Sequence, residues 1–201
     1  MDDTRSAIIE EIEEWTKDMS SPSTLWLTGL AGMGKTAISK SVCKAAEKKG
    51  NDIVLCGSFF CSRSAGPAAQ RDIHSVVPTL AQNFAHQSVQ FGHALDEELT
   101  RDPDVLHKHI SVQVTQLLYK PLLFLKGSNV PHLFVIDGLD ECGDNLHEDG
   151  MTDDKNTHRI ISDLLEALVD FSHSDDNLPV KFFVTSRPET YIRDIAKSNA
   201  Q

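Results

Sequence analysis

Four short apolar runs, separated by segments with helical periodicity, restrict the folds open to this chain of 201 residues. The runs cover 24–28, 53–60, 132–136 and 180–185. Each is apolar almost throughout instead of alternating with polar residues, which is typical of strands buried on both faces. Strands that alternate with helices favour a parallel sheet between two helical layers. The sequence therefore predicts one α/β domain with three layers.

Helical periodicity predicts the layers on either side of the sheet. An amphipathic first helix carries Ile8, Ile9, Ile12 and Trp15 on one face and ends before 20–23. Further helices are predicted over 35–49, 73–84, 89–99, 105–118, 160–169 and 189–197, with a loop over 62–70. Because proline lacks an amide hydrogen, we expect Pro78 to start or kink its helix and Pro121 to close the helix 105–118. The acidic segment 143–157 has no periodicity and is expected to be a mobile loop.

The segment 29–36 reads GLAGMGKT and fits the pattern G-x-x-x-x-G-K-[ST] in full. It follows a predicted strand and opens a predicted helix, which is the context in which this pattern binds phosphate. Glycines let successive backbone N–H groups point at a phosphate, and the helix adds its positive amino-terminal end. Lys35 is expected to reach the β- and γ-phosphates, with the Thr36 hydroxyl as a magnesium ligand. The predicted nucleotide-binding residues are Gly29, Gly32, Met33, Gly34, Lys35, Thr36 and Ala37.

Carboxylates follow the third predicted strand directly. Asp137 comes at its end, and Asp140 and Glu141 come one turn later. Ligands of α/β sheets bind at the carboxyl ends of the strands, so we expect Asp137 to hold magnesium through water beside Thr36. Asp140 or Glu141 would position and polarise the attacking water near the γ-phosphate. The sequence leaves open which of the two does so.

Polar residues also lie at and after the end of the last predicted strand, at Thr185, Ser186 and Arg187. Arg187 is a candidate for stabilising charge on the γ-phosphate and for sensing its presence. We expect the strand that ends at Thr185 to lie between the first strand and the strand that ends at Asp137. This order would place Thr185 and Arg187 at the edge of the sheet that faces the phosphates.

Composition argues against several other kinds of protein. The net charge of −11 leaves the chain without the positive field that nonspecific nucleic-acid binding requires. Its apolar runs are far shorter than the roughly 20 residues of a membrane span. The four cysteines form no Cys-x-x-Cys pair and the nine histidines are scattered, which argues against a zinc site. Free thiols favour a reducing compartment, so a cytoplasmic location is expected.

Together, these motifs resemble the NACHT domain of fungal proteins, the nucleotide-binding module of the STAND class of P-loop ATPases. The resemblance is carried by WLTGLAGMGKTAIS, HLFVIDGLDEC and KFFVTSRPE, with support from SFFCSR and VVPTLAQNFA. It implies a three-layer P-loop NTPase fold with sheet order 5-1-4-3-2, in which 1–23 form a helix and linker and 24–201 the core. It also implies an ATP- or GTP-driven switch that self-associates when active. The chain resembles the nucleotide-binding domain without the helical and winged-helix segments that follow it in the family.

The motifs and the resemblance predict a weak nucleoside triphosphatase that uses Mg²⁺ with ATP or GTP. An ATPase is favoured over a GTPase, although the sequence leaves the choice between adenine and guanine open. The expected partners of the protein are the nucleotide and either other domains or a second copy, with no nucleic acid and no membrane. Two alternatives stay open: a binding module in which the nucleotide is structural, and a small-molecule kinase. A Ras-like GTPase is disfavoured because no Asn-Lys-x-Asp sequence follows 140–143. Candidates for contacts to the base are Thr4, Arg5, Trp15 and Ser23.

Overall fold

The computed structural model describes residues 2–49, 52–62, 68–143, 154–171 and 177–189. Its strands are β1 (Thr24–Thr28), β2 (Val54–Phe60), β3 (His132–Asp137) and β4 (Val180–Ser186). Its longer helices are α1 (Asp2–Lys17), α2 (Lys35–Lys49), α3 (Val76–Ala85), α4 (Val89–Arg101) and α7 (Asp154–Asp170). Between α4 and β3 lie the short α5 (Ile110–Gln113), a π-helix (Val114–Tyr119) and α6 (Lys120–Leu122). Single 3₁₀ turns cover Ala68–Arg71, Ile73–Ser75, Val105–His107, Leu123–Leu125 and Leu139–Glu141.

The four strands form one parallel sheet in the order β1-β4-β3-β2. The strand that ends near Thr185 therefore lies between β1 and β3, and the predicted position of this strand is confirmed. The wider order 5-1-4-3-2 requires a fifth strand beside β1, and the described part of the chain contains four strands. The α/β class with a parallel sheet is confirmed.

Different helices cover the two faces of the sheet. On one face, Val135 and Phe183 belong to a buried cluster with residues of α1 and α2. On the other face, Phe134 and Phe182 stack with ring centroids 5.4 Å apart and join a cluster with α3, α4 and α7. Neighbouring residues of one strand thus enter opposite clusters, as expected for a strand buried on both sides.

The two prolines behave differently from each other. Pro78 is the third residue of α3, where a missing amide hydrogen costs no helical bond, so it starts the helix. Pro121 was expected to close a helix over 105–118, and this prediction is wrong because Pro121 lies inside α6. The backbone widens to a π-helix just before it, with Lys120 N–H bonded to Thr115 O, five residues back. The missing donor of the proline is thus accommodated by a change of hydrogen-bond spacing.

Other bounds differ only at the ends of elements. Helix α7 begins at Asp154, so the end of the loop predicted over 143–157 is helical. Residues 144–153 of that loop and 190–197 of the last predicted helix lie outside the described residues. Within the described residues, no helix has the length and apolar character needed to cross a bilayer. All four cysteines are buried and free of disulfides.

Candidate functional site

The glycine-rich loop 29–34 connects the carboxyl end of β1 to the start of α2. Gly32 and Gly34 have φ angles of +79° and +84°, in the left-handed region that side chains with a Cβ rarely adopt. The loop is anchored at its start, where Gly29 N–H donates to Ser186 O of β4 at 3.2 Å. It leads directly into the first turn of α2, where Ile38 N–H donates to Gly34 O at 3.0 Å. The loop therefore presents the amino-terminal end of a 15-residue helix at the edge of the sheet.

A cleft of about 470 Å³ opens at this edge, beside the carboxyl ends of the strands. Its walls come from three separate parts of the chain: the loop with the start of α2, the segment after β3, and the end of β4. The lining residues are Ala31, Gly32, Gly34, Lys35, Thr36, Ala37, Lys40, Gly138, Asp140, Glu141, Thr185 and Arg187. Most of the residues predicted from the motifs are thus brought to one place. Lys40, which the motifs did not indicate, adds a third basic side chain to Lys35 and Arg187.

Three of the predicted site residues lie outside the lining of the cleft. The carbonyl oxygen of Gly29 accepts a hydrogen bond from Lys35 Nζ at 2.6 Å, and Leu30 O accepts one from the same ammonium at 3.1 Å. The Met33 side chain is 68% exposed and does not line the cleft. The third residue, Asp137, is buried one residue before Gly138. Gly29 and Met33 are therefore part of the loop but do not form the cleft wall.

Hydroxyl groups hold the buried carboxylate of Asp137. Ser39 Oγ and Thr185 Oγ1 both donate to Asp137 Oδ1 at 2.7 Å, and Gly138 N–H donates to Thr185 Oγ1 at 3.0 Å. Ser39 was missed by the sequence analysis, although its position one turn after Lys35 places both on one side of α2. Thr185 was expected at this edge, and its hydrogen bonds explain why it is buried there.

The turn after β3 carries the acidic pair into the cleft. Gly138 has a φ angle of +70°, and a Cβ at this position would lie 3.4 Å from Cys61 O. The chain then forms the 3₁₀ turn Leu139–Glu141. A glycine directly after Asp137 therefore allows the strand to end in a left-handed turn and points the next acidic residues toward the loop 29–34.

Arg187 is bound to both acidic residues. Its backbone N–H donates to Asp140 Oδ1 at 2.8 Å, and its Nε lies 3.1 Å from Asp140 Oδ2. Its Nη2 lies 3.9 Å from Glu141 Oε1. The Asp140 side chain is 7% exposed, whereas that of Glu141 is 36% exposed. Asp140 thus engages Arg187 through both carboxylate oxygens, and Glu141 is the more accessible of the two acids.

The donor set fits a magnesium ion bound together with phosphate. Among the described residues, no group of three or more His, Cys, Asp and Glu side chains could hold a metal by itself. Magnesium needs no such group, because it is usually held by one or two protein oxygens, by waters and by phosphates. Thr36, which is exposed in the cleft, and Asp137, which is buried next to the lining residue Gly138, could supply those oxygens.

Two of the candidates for base contacts, Trp15 and Ser23, lie outside the lining of the cleft. Ser23 O accepts Phe182 N–H at 2.7 Å, and Trp15 Nε1 donates to Pro22 O at 3.0 Å. These residues are at the amino end of β1, whereas the loop 29–34 follows its carboxyl end, and five residues of strand span roughly 17 Å. Trp15 and Ser23 do not line the cleft, and their contact with the base stays a prediction. The side chains of Thr4 and Arg5 lie outside the described residues.

A buried lysine occupies that opposite edge. Lys181 Nζ donates to Asp18 O and Ser21 O at 2.8 Å each, and lies 5.3 Å from the centroid of the Trp15 ring. Burial lowers the pKa of this lysine from its usual value. The motifs did not indicate Lys181, since a lysine in a strand is ordinarily solvated. Its contacts fasten the linker after α1 to β4, the strand that also carries Thr185.

A comparison with family models places the chain among known proteins. The model described as nephrocystin 3, N-terminal, matches residues 3–187, a range that includes every residue lining the cleft. No curated protein matches the chain significantly. The matching model is not a NACHT model, so the resemblance to fungal NACHT domains stays a prediction. Because the match spans nearly the whole chain, the protein belongs to the nephrocystin 3 N-terminal family.

Proposed function

We propose that this protein binds a nucleoside triphosphate with Mg²⁺ in the cleft and hydrolyses it slowly, as the switch domain of a larger signalling protein. One observation carries the proposal: three distant parts of the chain place Lys35, Thr36, Glu141 and Arg187 around one cleft. A phosphate-binding loop, a metal-binding pair and a polar group for water are the parts that phosphoryl transfer requires.

The phosphates are bound by the loop 29–34 and the start of α2. Backbone N–H groups at the helix start carry a partial positive charge that favours an anion. Lys35 spans the loop through Gly29 O and Leu30 O, and a phosphate oxygen would replace these carbonyls as its acceptor. Lys40 and Arg187 add positive charge at the wall of the same cleft.

Thr36 and Asp137 are the residues that would hold the metal ion. When bound, magnesium would neutralise charge on the β- and γ-phosphates. The Thr36 hydroxyl would coordinate the ion directly, and the Asp137 carboxylate would accept a hydrogen bond from one of its waters. Asp137 is buried away from bulk water. Because the dielectric constant is lower there than in water, the charge of its carboxylate acts more strongly on a nearby ion.

Glu141 is the better candidate for positioning the attacking water. Both oxygens of Asp140 engage Arg187, whereas Glu141 is more exposed at the cleft and lies 3.9 Å from the guanidinium. Asp140 then serves to orient Arg187, whose charge would stabilise the γ-phosphate. These roles remain coupled, because a phosphate that attracts Arg187 also changes the surroundings of both acids.

We assign the domain a P-loop NTPase fold of the STAND type, with ATP favoured over GTP and with self-association or contact to further domains as the output. The four buried free thiols are compatible with the cytoplasm. A second candidate function is a nucleotide-binding module without turnover. The contacts of Arg187 with Asp140 and Glu141 favour this second function, because a carboxylate paired with an arginine is less able to polarise water.

Titration with a fluorescent ATP analogue tests the binding proposal. Lys35→Ala should weaken binding by about 10- to 150-fold, because a charge-assisted hydrogen bond contributes roughly 1.5–3 kcal/mol. Lys44→Ala is the matched control, since Lys44 is exposed further along α2 and does not line the cleft. Equal affinity in wild type and Lys35→Ala would refute the assignment of the loop. Single-turnover hydrolysis of radiolabelled ATP then separates a slow enzyme from a module without turnover.

A further inference from the structure

Two hydroxyl groups converge on a single oxygen of Asp137. Ser39 comes from α2 and Thr185 from β4, and each donates to Asp137 Oδ1 at 2.7 Å. Both residues are fully buried, with 0% exposure. Within the described part of the chain, both hydrogen bonds to this carboxylate end on Oδ1 and none ends on Oδ2. The two oxygens of one carboxylate therefore have different surroundings.

We propose that Ser39 and Thr185 are positioning residues that fix Asp137 Oδ1, so that Oδ2 is the oxygen that accepts the magnesium-bound water. This inference rests on the proposed function of the cleft. Rotation of the carboxylate would break two hydrogen bonds at once, and hydrogen bonds to an ionised acceptor are the stronger kind. Groups that form hydrogen bonds with a metal-binding carboxylate commonly set its orientation and tune the affinity of the site for the metal.

The hydroxyl group of Thr185 both accepts and donates a hydrogen bond. Thr185 Oγ1 accepts Gly138 N–H at 3.0 Å, and its own hydrogen is given to Asp137. Gly138 and Thr185 also line the cleft, so one hydroxyl connects the cleft wall to the carboxylate beneath it. Thr185 thereby fixes Asp137 relative to the turn that carries the acidic pair.

Ser39 fixes the same carboxylate relative to the phosphate-binding helix. Its hydroxyl lies 2.7 Å from Asp137 Oδ1 and 3.2 Å from Lys35 O, so Asp137 is its closer acceptor. Ser39 lies one turn after Lys35 and Thr36 on α2. The hydrogen bond from Ser39 therefore ties Asp137 to the helix that carries Thr36, the other expected magnesium ligand.

Binding of Mn²⁺ in place of Mg²⁺ tests this role without requiring hydrolysis. The affinity of the protein–ATP complex for Mn²⁺ is measured from the electron paramagnetic resonance signal of the free ion. Ser39→Ala and Thr185→Val should weaken Mn²⁺ binding by roughly 10- to 100-fold. Their ATP affinity in the presence of a chelator should equal that of wild type. Thermal unfolding without nucleotide shows that each variant is folded.

Two variants serve as matched controls. Ser41→Ala removes a hydroxyl from the same helix, but Ser41 donates to Ala37 O at 2.8 Å and not to Asp137. Thr185→Ser keeps the hydroxyl and removes only a methyl group. Both variants should bind Mn²⁺ as wild type does. A Thr185→Ser variant as weak as Thr185→Val would mean that packing, and not the hydrogen bond, is the role of Thr185.

The outcomes separate this inference from the function on which it rests. If Ser39→Ala and Thr185→Val keep wild-type Mn²⁺ affinity while Lys35→Ala loses ATP, the positioning role is refuted and the nucleotide site stands. If Lys35→Ala also keeps its ATP affinity, the proposed function itself is refuted. If Thr185→Val does not fold, Ser39→Ala with its Ser41→Ala control decides the question.

Discussion

Replacing Lys181 with methionine should lower the free energy of unfolding by about 2 kcal/mol. Lys181 is the second residue of β4 and is 2% exposed. Its ammonium lies within hydrogen-bonding distance of three backbone carbonyls, Asp18 O and Ser21 O at 2.8 Å and Pro22 O at 3.3 Å, and of Ser21 Oγ at 2.7 Å. Methionine has a similar length and keeps the contact with the ring of Trp15. The substitution thus removes the charge and the donors with little change in volume.

The magnitude follows from the acceptors that remain without a donor. Asp18 O still accepts the Ser21 hydroxyl at 2.7 Å, and Pro22 O still accepts the indole N–H of Trp15 at 3.0 Å. Among the described residues, Ser21 O is the carbonyl that would be left without a hydrogen-bond donor. An unsatisfied buried group costs about 1–3 kcal/mol. A cavity of about 480 Å³ beside Lys181 and Ser21 can admit water, which argues against the upper end of this range.

Urea unfolding measures this loss, with Lys17→Met as the control because Lys17 is exposed at the end of α1. The midpoint should fall in Lys181→Met with an unchanged slope. Burial lowers the pKa of Lys181 below 10.5, so the unfolded chain binds more protons than the folded one between the lowered pKa and 10.5. The free energy of unfolding of wild type should therefore increase as the pH rises through that window. Lys181→Met should not show this increase. A loss below about 0.5 kcal/mol, as at an ordinary surface site, would refute the reasoning.

Glu141→Gln should slow single-turnover ATP hydrolysis by roughly 10²–10⁴-fold at unchanged ATP affinity. Asp140→Asn should slow hydrolysis less, because Asp140 acts through Arg187. A larger loss in Asp140→Asn than in Glu141→Gln would exchange the roles of the two acids. Gly138→Ala should lower stability by about 1–2 kcal/mol in thermal unfolding because of its left-handed φ angle of +70°, and an unchanged melting temperature would contradict this. Burial lowers the pKa of His132 from 6.5, so the unfolded chain takes up this proton first and stability should fall as the pH drops from 6.5 through the lowered value. His132→Phe should flatten that pH dependence of the urea midpoint, and an equally steep dependence in the variant would assign it to other groups.

The regular part of the fold could be predicted because its signals are local. Apolar runs and glycines determine where β1 and α2 begin and end, and both have the predicted bounds. The helix 105–118 could not be predicted in the same way, because its path depends on packing. Its segments bury Val105, Ile110 and Leu118 in the large core cluster, and the π-helix lets Pro121 fit within them.

The site was predictable where one motif determines several residues and not where distant residues meet. The loop 29–36 indicated Lys35 and Thr36 directly. The bond from Ser39 to Asp137 joins residues 98 positions apart, and a serine in a helix carries no sign of such a partner.

Chromatographic identification of retained nucleotide tests the central claim most directly. Wild type and Lys35→Ala are incubated with Mg²⁺ and an equal mixture of ATP and GTP, passed through a desalting column and denatured. The released nucleotide is then separated and quantified against protein. The proposed site predicts adenine nucleotide in near-equimolar amount from wild type and little from Lys35→Ala. Absence of any nucleotide from folded wild type, or equal amounts from both proteins, would contradict it.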